Sequence, residues 1–276
     1  MADLVAAFAA SHAPLIVSDP DSARAEQKRR IHEAMYQLRD ELLAASPTAL
    51  VICSNEHFIN FFYDNLPPFC VGMADRYLGP VEPWLGMPQA WVPGQHKLGE
   101  WIVSHALEHD FDLSLSQELR LDHGVMAVLH FLTPDMDLPI VPIIQNCSIN
   151  PMPTLGRCYQ LGQELGRAIA EWPAQGERVA LVGAGGLSHW AGLPQMGQIN
   201  ESFDRRFLDL VARGQAKKAL ALTPSEIEAA GNGAHEIRSW LTVAGAMGGR
   251  PGRLLAYEPI HAWVTGMAVA TWSVVE

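Results

Sequence analysis

Three histidines stand after apolar, strand-like segments of the sequence. His12 follows the run Leu4–Ala10, and His57 and His189 follow two further runs of the same kind. Because ligands of open α/β sheets bind at the carboxyl ends of the strands, these imidazoles could converge at one edge of a sheet. Imidazole titrates near neutral pH and is also a common metal ligand. The pattern therefore indicates a site for proton transfer, for a metal ion, or for both.

The residue types also narrow the choice of metal. An isolated histidine at a strand end is usually a packed or surface residue, but three in loops of Ser, Asn, Gly and Pro weaken that interpretation. Two imidazoles and one carboxylate form the facial triad of non-haem iron(II) oxygenases. The same ligands also build catalytic zinc sites, so a zinc-dependent hydrolase or deaminase is an alternative. Spacing leaves the carboxylate open among Glu56, Asp122 and Glu236.

The segments that must hold these residues alternate between strand-like and helix-like patterns. Apolar runs of strand length cover Leu4–Ala10, Ala49–Ser54, Phe69–Met73, Leu138–Ile144 and Val179–Gly183. Helical patterns cover Ser22–Ala45, Gln95–His109, Pro153–Glu171, Ile199–Arg213, Pro224–Ala230 and Ala234–Met247, while Ala262–Val275 fits either structure. This alternation predicts an α/β fold with a central, mostly parallel sheet flanked by helices and an active-site crevice at the strand carboxyl ends. With no linker or fixed-period repeat, one domain over residues 1–276 is expected.

Composition excludes several classes of partner. The formal net charge is −11 and no run rich in Lys or Arg occurs, so nucleic acid and anionic membranes are not expected partners. The N-terminal region has no signal-peptide pattern, and no apolar stretch is long enough to cross a membrane. Cys53, Cys70, Cys147 and Cys158 are scattered and lack the close pairs of a zinc motif. A cytoplasmic protein with reduced thiols is therefore expected.

Five short motifs run in order through nearly the whole chain. They are Ser11-His12-Ala13-Pro14-Leu15; Glu56-His57 with Phe61-Phe62-Tyr63-Asp64 and Pro67-Pro68-Phe69-Cys70; Asp122-His123-Gly124; Gly185-Gly186-Leu187-Ser188-His189; and His235-Glu236-Ile237 with Trp240. Each motif alone is weak, but the ordered set is specific. Together they resemble the class III (LigB-type) extradiol ring-cleavage dioxygenases. The pattern is closest to 2,3-dihydroxyphenylpropionate dioxygenases and more distant from the β subunit of protocatechuate 4,5-dioxygenase.

The resemblance implies roles for individual residues. It implies that His12, His57 and Glu236 ligate Fe(2+), that His189 is the general base, and that His123 is a second acid/base histidine. It also implies a small aromatic diol and O2 as substrates and a homo-oligomeric assembly. The segment between His189 and the predicted helix at Ile199 is shorter than in the dihydroxyphenylpropionate enzymes, which leaves the ring substituent open. No segment resembles the small subunit of the protocatechuate enzyme, so the chain should work without one or with a separate partner.

Other features carry weaker hypotheses. His105 and His109 lie four residues apart on a predicted helix and are expected at the surface, since their order is not that of the HExxH zinc motif. Gly183-Ala184-Gly185-Gly186 only partly matches a dinucleotide-binding turn. Trp84, Trp91, Trp190 and Trp263 could line an aromatic pocket, although packing is the commoner role. A non-catalytic partner subunit of the same fold is a further alternative, disfavoured by the complete set of site residues.

Overall fold

Adjacent residues of the central strands are buried on opposite faces of one sheet. In the computed structural model, which describes residues 1–274, every residue of strand β2 (Ala49–Asn55) is buried. Leu50 and Ile52 belong to one apolar cluster and Val51 to the other. Because side chains of a strand alternate between the two faces, this pattern requires helices on both sides.

The main sheet has eight strands within residues 1–274. The strands of the chain are β1 (Asp3–Ala10), β2 (Ala49–Asn55), β3 (Phe69–Gly72), β4 (Arg76–Gly79), β5 (Ala90–Pro93), β6 (Ser114–Ser116), β7 (Ile140–Gln145), β8 (Arg178–Ala184), β9 (Gly252–Ile260) and β10 (Thr265–Trp272). The order in the main sheet is β6-β3-β7-β2-β8-β1-β10-β9, while β4 and β5 form a separate pair. The four central strands β7, β2, β8 and β1 are parallel, and β10 and β9 add an antiparallel edge. The predicted mostly parallel sheet is confirmed.

Helices cover both faces of this sheet. They are α1 (Leu15–Ser18), α2 (Ala25–Ala45), α3 (His96–Glu108), α4 (His123–Leu132), α5 (Leu155–Glu171), α6 (Glu201–Ala212), α7 (Pro224–Glu228) and α8 (Ile237–Ala246). Buried residues of α2 and α4 join the apolar cluster that contains Leu50. Those of α3, α5, α6 and α8 join the cluster on the opposite face. The sheet is thus packed between two layers of helices.

The predicted strands and helices are present, with shifts of a few residues at their ends. The structure adds four strands that the apolar runs did not indicate, namely β4, β5, β6 and β9. The segment Ala262–Val275, which fitted either structure, contains strand β10, and Val275 lies outside the described residues. The four cysteines are buried and carry free thiols, as expected. Among the described residues, no helix combines the length and apolar character needed to cross a bilayer.

Candidate metal centre

The three predicted strand-end histidines follow three neighbouring strands. His12 follows β1, His57 follows β2, and His189 lies beyond a glycine-rich turn after β8; the strands are adjacent in the order β2-β8-β1. Because these strands are parallel, their carboxyl ends meet at one edge of the sheet. The rings of His12 and His57 lie with their centroids 5.2 Å apart. The structure therefore brings these histidines together.

Glu236 supplies a buried carboxylate to the same place. It lies in the 3₁₀ turn Asn232–Glu236, directly before α8, and is 6% exposed. Its Oε2 atom is 3.3 Å from His12 Nε2, and its Oε1 atom is 3.5 Å from both His57 Nε2 and His189 Nε2. The Gly186 N–H donates to Oε2 at 2.7 Å. Of the three carboxylates left open by the sequence, Glu236 is the one that contacts both His12 and His57 in this way.

The protonation states of these groups suit a cation. Burial alone would raise the pKa of Glu236, but attraction to His12 and His189 outweighs burial and lowers that pKa well below its ordinary value. Burial lowers the pKa of His12 despite the opposing attraction of Glu236. An ionised carboxylate and a neutral imidazole are the forms that ligate metals. The nitrogen–oxygen separations of 3.3 and 3.5 Å also exceed an ordinary hydrogen bond of about 2.7–3.2 Å, so the donor set fits a shared divalent ion.

Asp122 orients His57. His57 Nδ1 is 2.8 Å from Asp122 Oδ2, while Asp122 Oδ1 accepts from the Gly124 N–H at the start of α4. Burial opposes ionisation of Asp122, but attraction to His57 lowers its pKa to about 2. The same pair raises the pKa of His57 well above its ordinary value although burial acts to lower it, so a cation bound at Nε2 would displace a proton.

Glu56, another of the carboxylates left open by the sequence, is not the partner of His57 Nδ1; that partner is Asp122. Glu56 Oε1 instead accepts backbone N–H groups of Ile59 and Asn60, which shapes the loop after His57. Burial raises the pKa of Glu56.

His123 joins the cluster from the N-terminus of α4. Its ring centroid is 4.3 Å from that of His57 and 5.6 Å from that of His12. Ligand atoms of His12, His57 and His123 lie within 4.8 Å of one another, so geometry alone admits a third imidazole ligand. However, Glu82 occupies one side of His123: its Oε1 is 2.6 Å from Nδ1, and its Oε2 accepts the His123 backbone N–H at 2.8 Å. Sequence reasoning missed Glu82, which lies in a loop without a motif.

The turn that carries His189 is also fixed by a buried carboxylate that the sequence did not indicate. Asp204 of α6 accepts the Ser188 backbone N–H at 2.9 Å and the Ser188 hydroxyl at 2.8 Å, and Tyr257 donates to it at 2.8 Å. His189 Nδ1 lies 3.0 Å from the Leu187 carbonyl oxygen. These contacts leave His189 Nε2 directed at Glu236.

A second group of ligand-type side chains joins α3 to α5. It consists of His105, His109 and Glu164. The prediction of a surface position is wrong for His105, which is buried against Glu164, and right for the exposed His109. His105 Nε2 also contacts Glu171 at 3.2 Å, and Arg167 pairs with Glu164. Because these charged and polar groups pair with one another, the network is accounted for as a polar link between α3 and α5.

Comparison with known proteins identifies the family to which the chain belongs. A family model described as the catalytic LigB subunit of aromatic ring-opening dioxygenase matches residues 6–268. The chain belongs to this LigB family. It is therefore a ring-cleaving dioxygenase, and the resemblance expected from the five motifs is confirmed. The alternative of a non-catalytic partner subunit is set aside, because the matched family is that of the catalytic subunit.

Individual relatives cover nearly all of the LigB-family chain. A 2,3-dihydroxyphenylpropionate/2,3-dihydroxicinnamic acid 1,2-dioxygenase of Paraburkholderia xenovorans (strain LB400) is 30% identical, covering 92% of this chain and 93% of its own length. The protein of the same description from Cupriavidus necator is 28% identical, covering 94% and 95%. A crystal structure of an uncharacterized protein from Escherichia coli K12 matches with a TM-score of 0.59 over 96% of this chain and 99% of that chain. Its 18% identity supports the fold alone.

Proposed function

We propose that this LigB-family protein is a non-haem iron(II)-dependent extradiol dioxygenase. In this proposal His12, His57 and Glu236 hold the iron, and both atoms of O2 enter the product of meta-cleavage. The observation that carries the proposal is the approach of two imidazole nitrogens to one buried carboxylate, at 3.3 and 3.5 Å. Two neutral imidazoles and one carboxylate match the facial triad of iron(II) oxygenases.

The chain prepares its donor atoms for the metal. With Asp122 bound to His57 Nδ1, the Nε2 atom of that ring is the one that can face a cation. The Gly186 N–H fixes the rotation of the Glu236 carboxylate. When bound, iron(II) would lower the pKa of the diol hydroxyls and hold the diol beside O2.

Two further histidines would move protons. With Nδ1 of His189 donating to the Leu187 carbonyl, Nε2 can accept a proton from a diol hydroxyl. Burial lowers the pKa of His189, but attraction to Glu236 outweighs it and raises that pKa. His123 donates Nδ1–H to Glu82, which fixes the orientation of the ring as a proton donor during ring opening. His189 is thus proposed as the base and His123 as the acid.

The proposed substrate is a small aromatic diol whose two oxygens are adjacent. The relatives from P. xenovorans and C. necator are named for dihydroxyphenylpropionate and dihydroxicinnamic acid, which contain such a ring. Substituted catechols, gallate, biphenyl-derived diols and 3-hydroxy-4-pyridone offer the same chelating oxygens. We also propose a single domain over residues 1–276, a homo-oligomer and a cytoplasmic location, which stay predictions.

An oxygen electrode tests the proposal. Protein reconstituted without air with Fe(2+) or with Zn(2+) is given this panel of ring compounds, with ascorbate to keep the iron reduced. The proposal predicts oxygen uptake with at least one diol and only with iron. If iron gives no oxygen uptake with any diol while zinc gives hydrolysis of amide or ester substrates, the iron-dependent proposal is wrong and the alternative of a zinc-dependent hydrolase stands.

A further inference from the structure

We propose that Trp84 forms a wall of the substrate pocket and contacts the diol through the face of its indole. This inference deepens the proposed function and rests on it. The ring of Trp84 lies 5.6 Å from the ring of His123 at an interplanar angle of 49°. His123 is itself 4.3 Å from His57, so the indole stands one ring away from the proposed metal ligands.

The exposure of Trp84 has no explanation in the packing of the chain. Trp84 is 56% exposed, although burial of a tryptophan side chain stabilises a folded protein. An apolar surface held open beside a polar cluster is the arrangement that binding sites use for aromatic ligands. An aromatic diol seated at the histidines would cover the indole and remove this surface from water.

The segment around Trp84 is anchored on both sides. Glu82 precedes it, is 7% exposed and binds both the ring and the backbone of His123. Leu85 follows it, is fully buried, and donates its N–H to the Glu82 carbonyl oxygen at 3.1 Å. The exposed indole is therefore not on a loose loop, and its position is tied to the residue proposed to deliver the proton.

Trp84 differs in this respect from two other tryptophans considered as pocket residues. Trp263 is fully buried in the core. Trp91 is 52% exposed, but its ring packs against the Arg76 guanidinium at 4.2 Å. Trp91 lies close to Trp84 in the sequence, in strand β5, and has similar exposure, so it serves as a matched control.

The substrate class follows from the chemistry of the indole. An indole face attracts other aromatic rings and alkyl groups and offers no cation to a carboxylate. We therefore expect preference for diols with an apolar substituent, such as an alkyl or phenyl group, and Trp84 should contribute more to their binding than to that of unsubstituted catechol.

Two measurements on iron-loaded protein test this role. In oxygen-uptake kinetics, Trp84→Ala should raise KM for a phenyl-substituted catechol about tenfold and leave kcat within about threefold, as loss of uniform binding does. Trp84→Phe should recover most of the KM, and Trp91→Ala should match the wild type. Anaerobic titration with 4-nitrocatechol, followed by its absorbance, should show the same loss of affinity without turnover.

The outcomes separate the two proposals. If the wild type binds 4-nitrocatechol but consumes no O2 with any diol, the proposed function fails while Trp84 can still be judged from binding. If Trp84→Ala and Trp91→Ala have equal KM and equal Kd, the pocket wall is wrong although the dioxygenase stands. A Trp84→Ala change in gel-filtration volume without a change in Kd would instead assign the indole to a contact between copies, and would also overturn the proposal.

Discussion

Glu236 joins side chains that lie far apart in the sequence. Its carboxylate contacts His12 through one oxygen and His57 and His189 through the other. The carboxylate is buried, which by itself would raise its pKa, but attraction to His12 and His189 lowers that pKa and keeps the carboxylate charged. A buried charge of this kind is costly unless a counter-charge meets it. In the proposed enzyme the metal ion would provide that counter-charge.

Replacing Glu236 should therefore remove iron. We expect Glu236→Gln to weaken iron affinity by more than about tenfold, because the neutral amide is a poor ligand. Metal analysis after gel filtration measures the effect. Glu228→Gln, which alters an exposed glutamate bound to His235, is the matched control. If Glu236→Gln kept the iron content of the wild type, Glu236 would not be the carboxylate ligand, and Glu56 would be tested next.

Loss of iron in His123→Ala would show that His123 is a ligand and not only the acid.

The stability of the folded chain in acid should depend on Asp122. Its pKa falls from 3.8 to about 2 in the folded chain, so its contribution to stability is complete above about pH 5 and is lost as pH falls toward 2. His57 has a raised pKa and is protonated throughout that window in the metal-free chain, so it adds no slope there. The advantage of wild type over Asp122→Asn should shrink by about 1 kcal/mol between about pH 5 and pH 3.

Urea unfolding of metal-free protein measures this difference. Asp112→Asn, a substitution at an exposed position, is the control. An unfolding free-energy difference for Asp122→Asn that does not change with pH would show that Asp122 is not held ionised by His57.

At the scale of secondary structure, the turn after β8 meets the turn before α8. His189 comes from the first and Glu236 from the second, and Gly233 lies between them. A Cβ atom on Gly233 would lie 2.0 Å from His189 Nε2, so only glycine leaves room for the ring. Two loops from distant parts of the chain are thus fitted to each other through one small residue.

Gly233→Ala should disable the base without removing the metal. The added methyl group must displace the His189 ring, so we expect kcat to fall about a hundredfold while iron content is unchanged. Gly156→Ala is the control, because the nearest atom to its Cβ would be 3.8 Å away. Steady-state kinetics with metal analysis checks both. Full activity in Gly233→Ala would mean that His189 is not the base, or that its ring need not occupy this position.

The sequence predicted these elements unevenly. Strands β1, β2 and β8 are continuous apolar runs, so their ends, and with them His12, His57 and His189, could be located from pattern alone. The edge strand β9 (Gly252–Ile260) is largely half-exposed and mixes polar with apolar residues, so no run marked it. Glu82 and Asp204 act through contacts with residues far away in the chain, and no local pattern signals such contacts.

At the scale of the whole molecule, one sheet between two helical layers directs its chemistry to a single edge. The helices bury both faces, so the carboxyl ends of the parallel strands are where polar side chains can gather. The net charge of −11 opposes the binding of large polyanions. The LigB family model matches residues 6–268, which reach from β1 to β10 of this layered unit.

The most direct test of the account follows the oxygen atoms. Iron(II)-loaded protein is given an accepted diol under isotopically labelled dioxygen, and the product is examined by mass spectrometry, with zinc-loaded protein alongside. The account predicts one O2 consumed per diol and a ring-opened product carrying both labelled atoms, with no reaction when zinc replaces iron. A quinone with hydrogen peroxide, a product without label, or equal activity with zinc would contradict it.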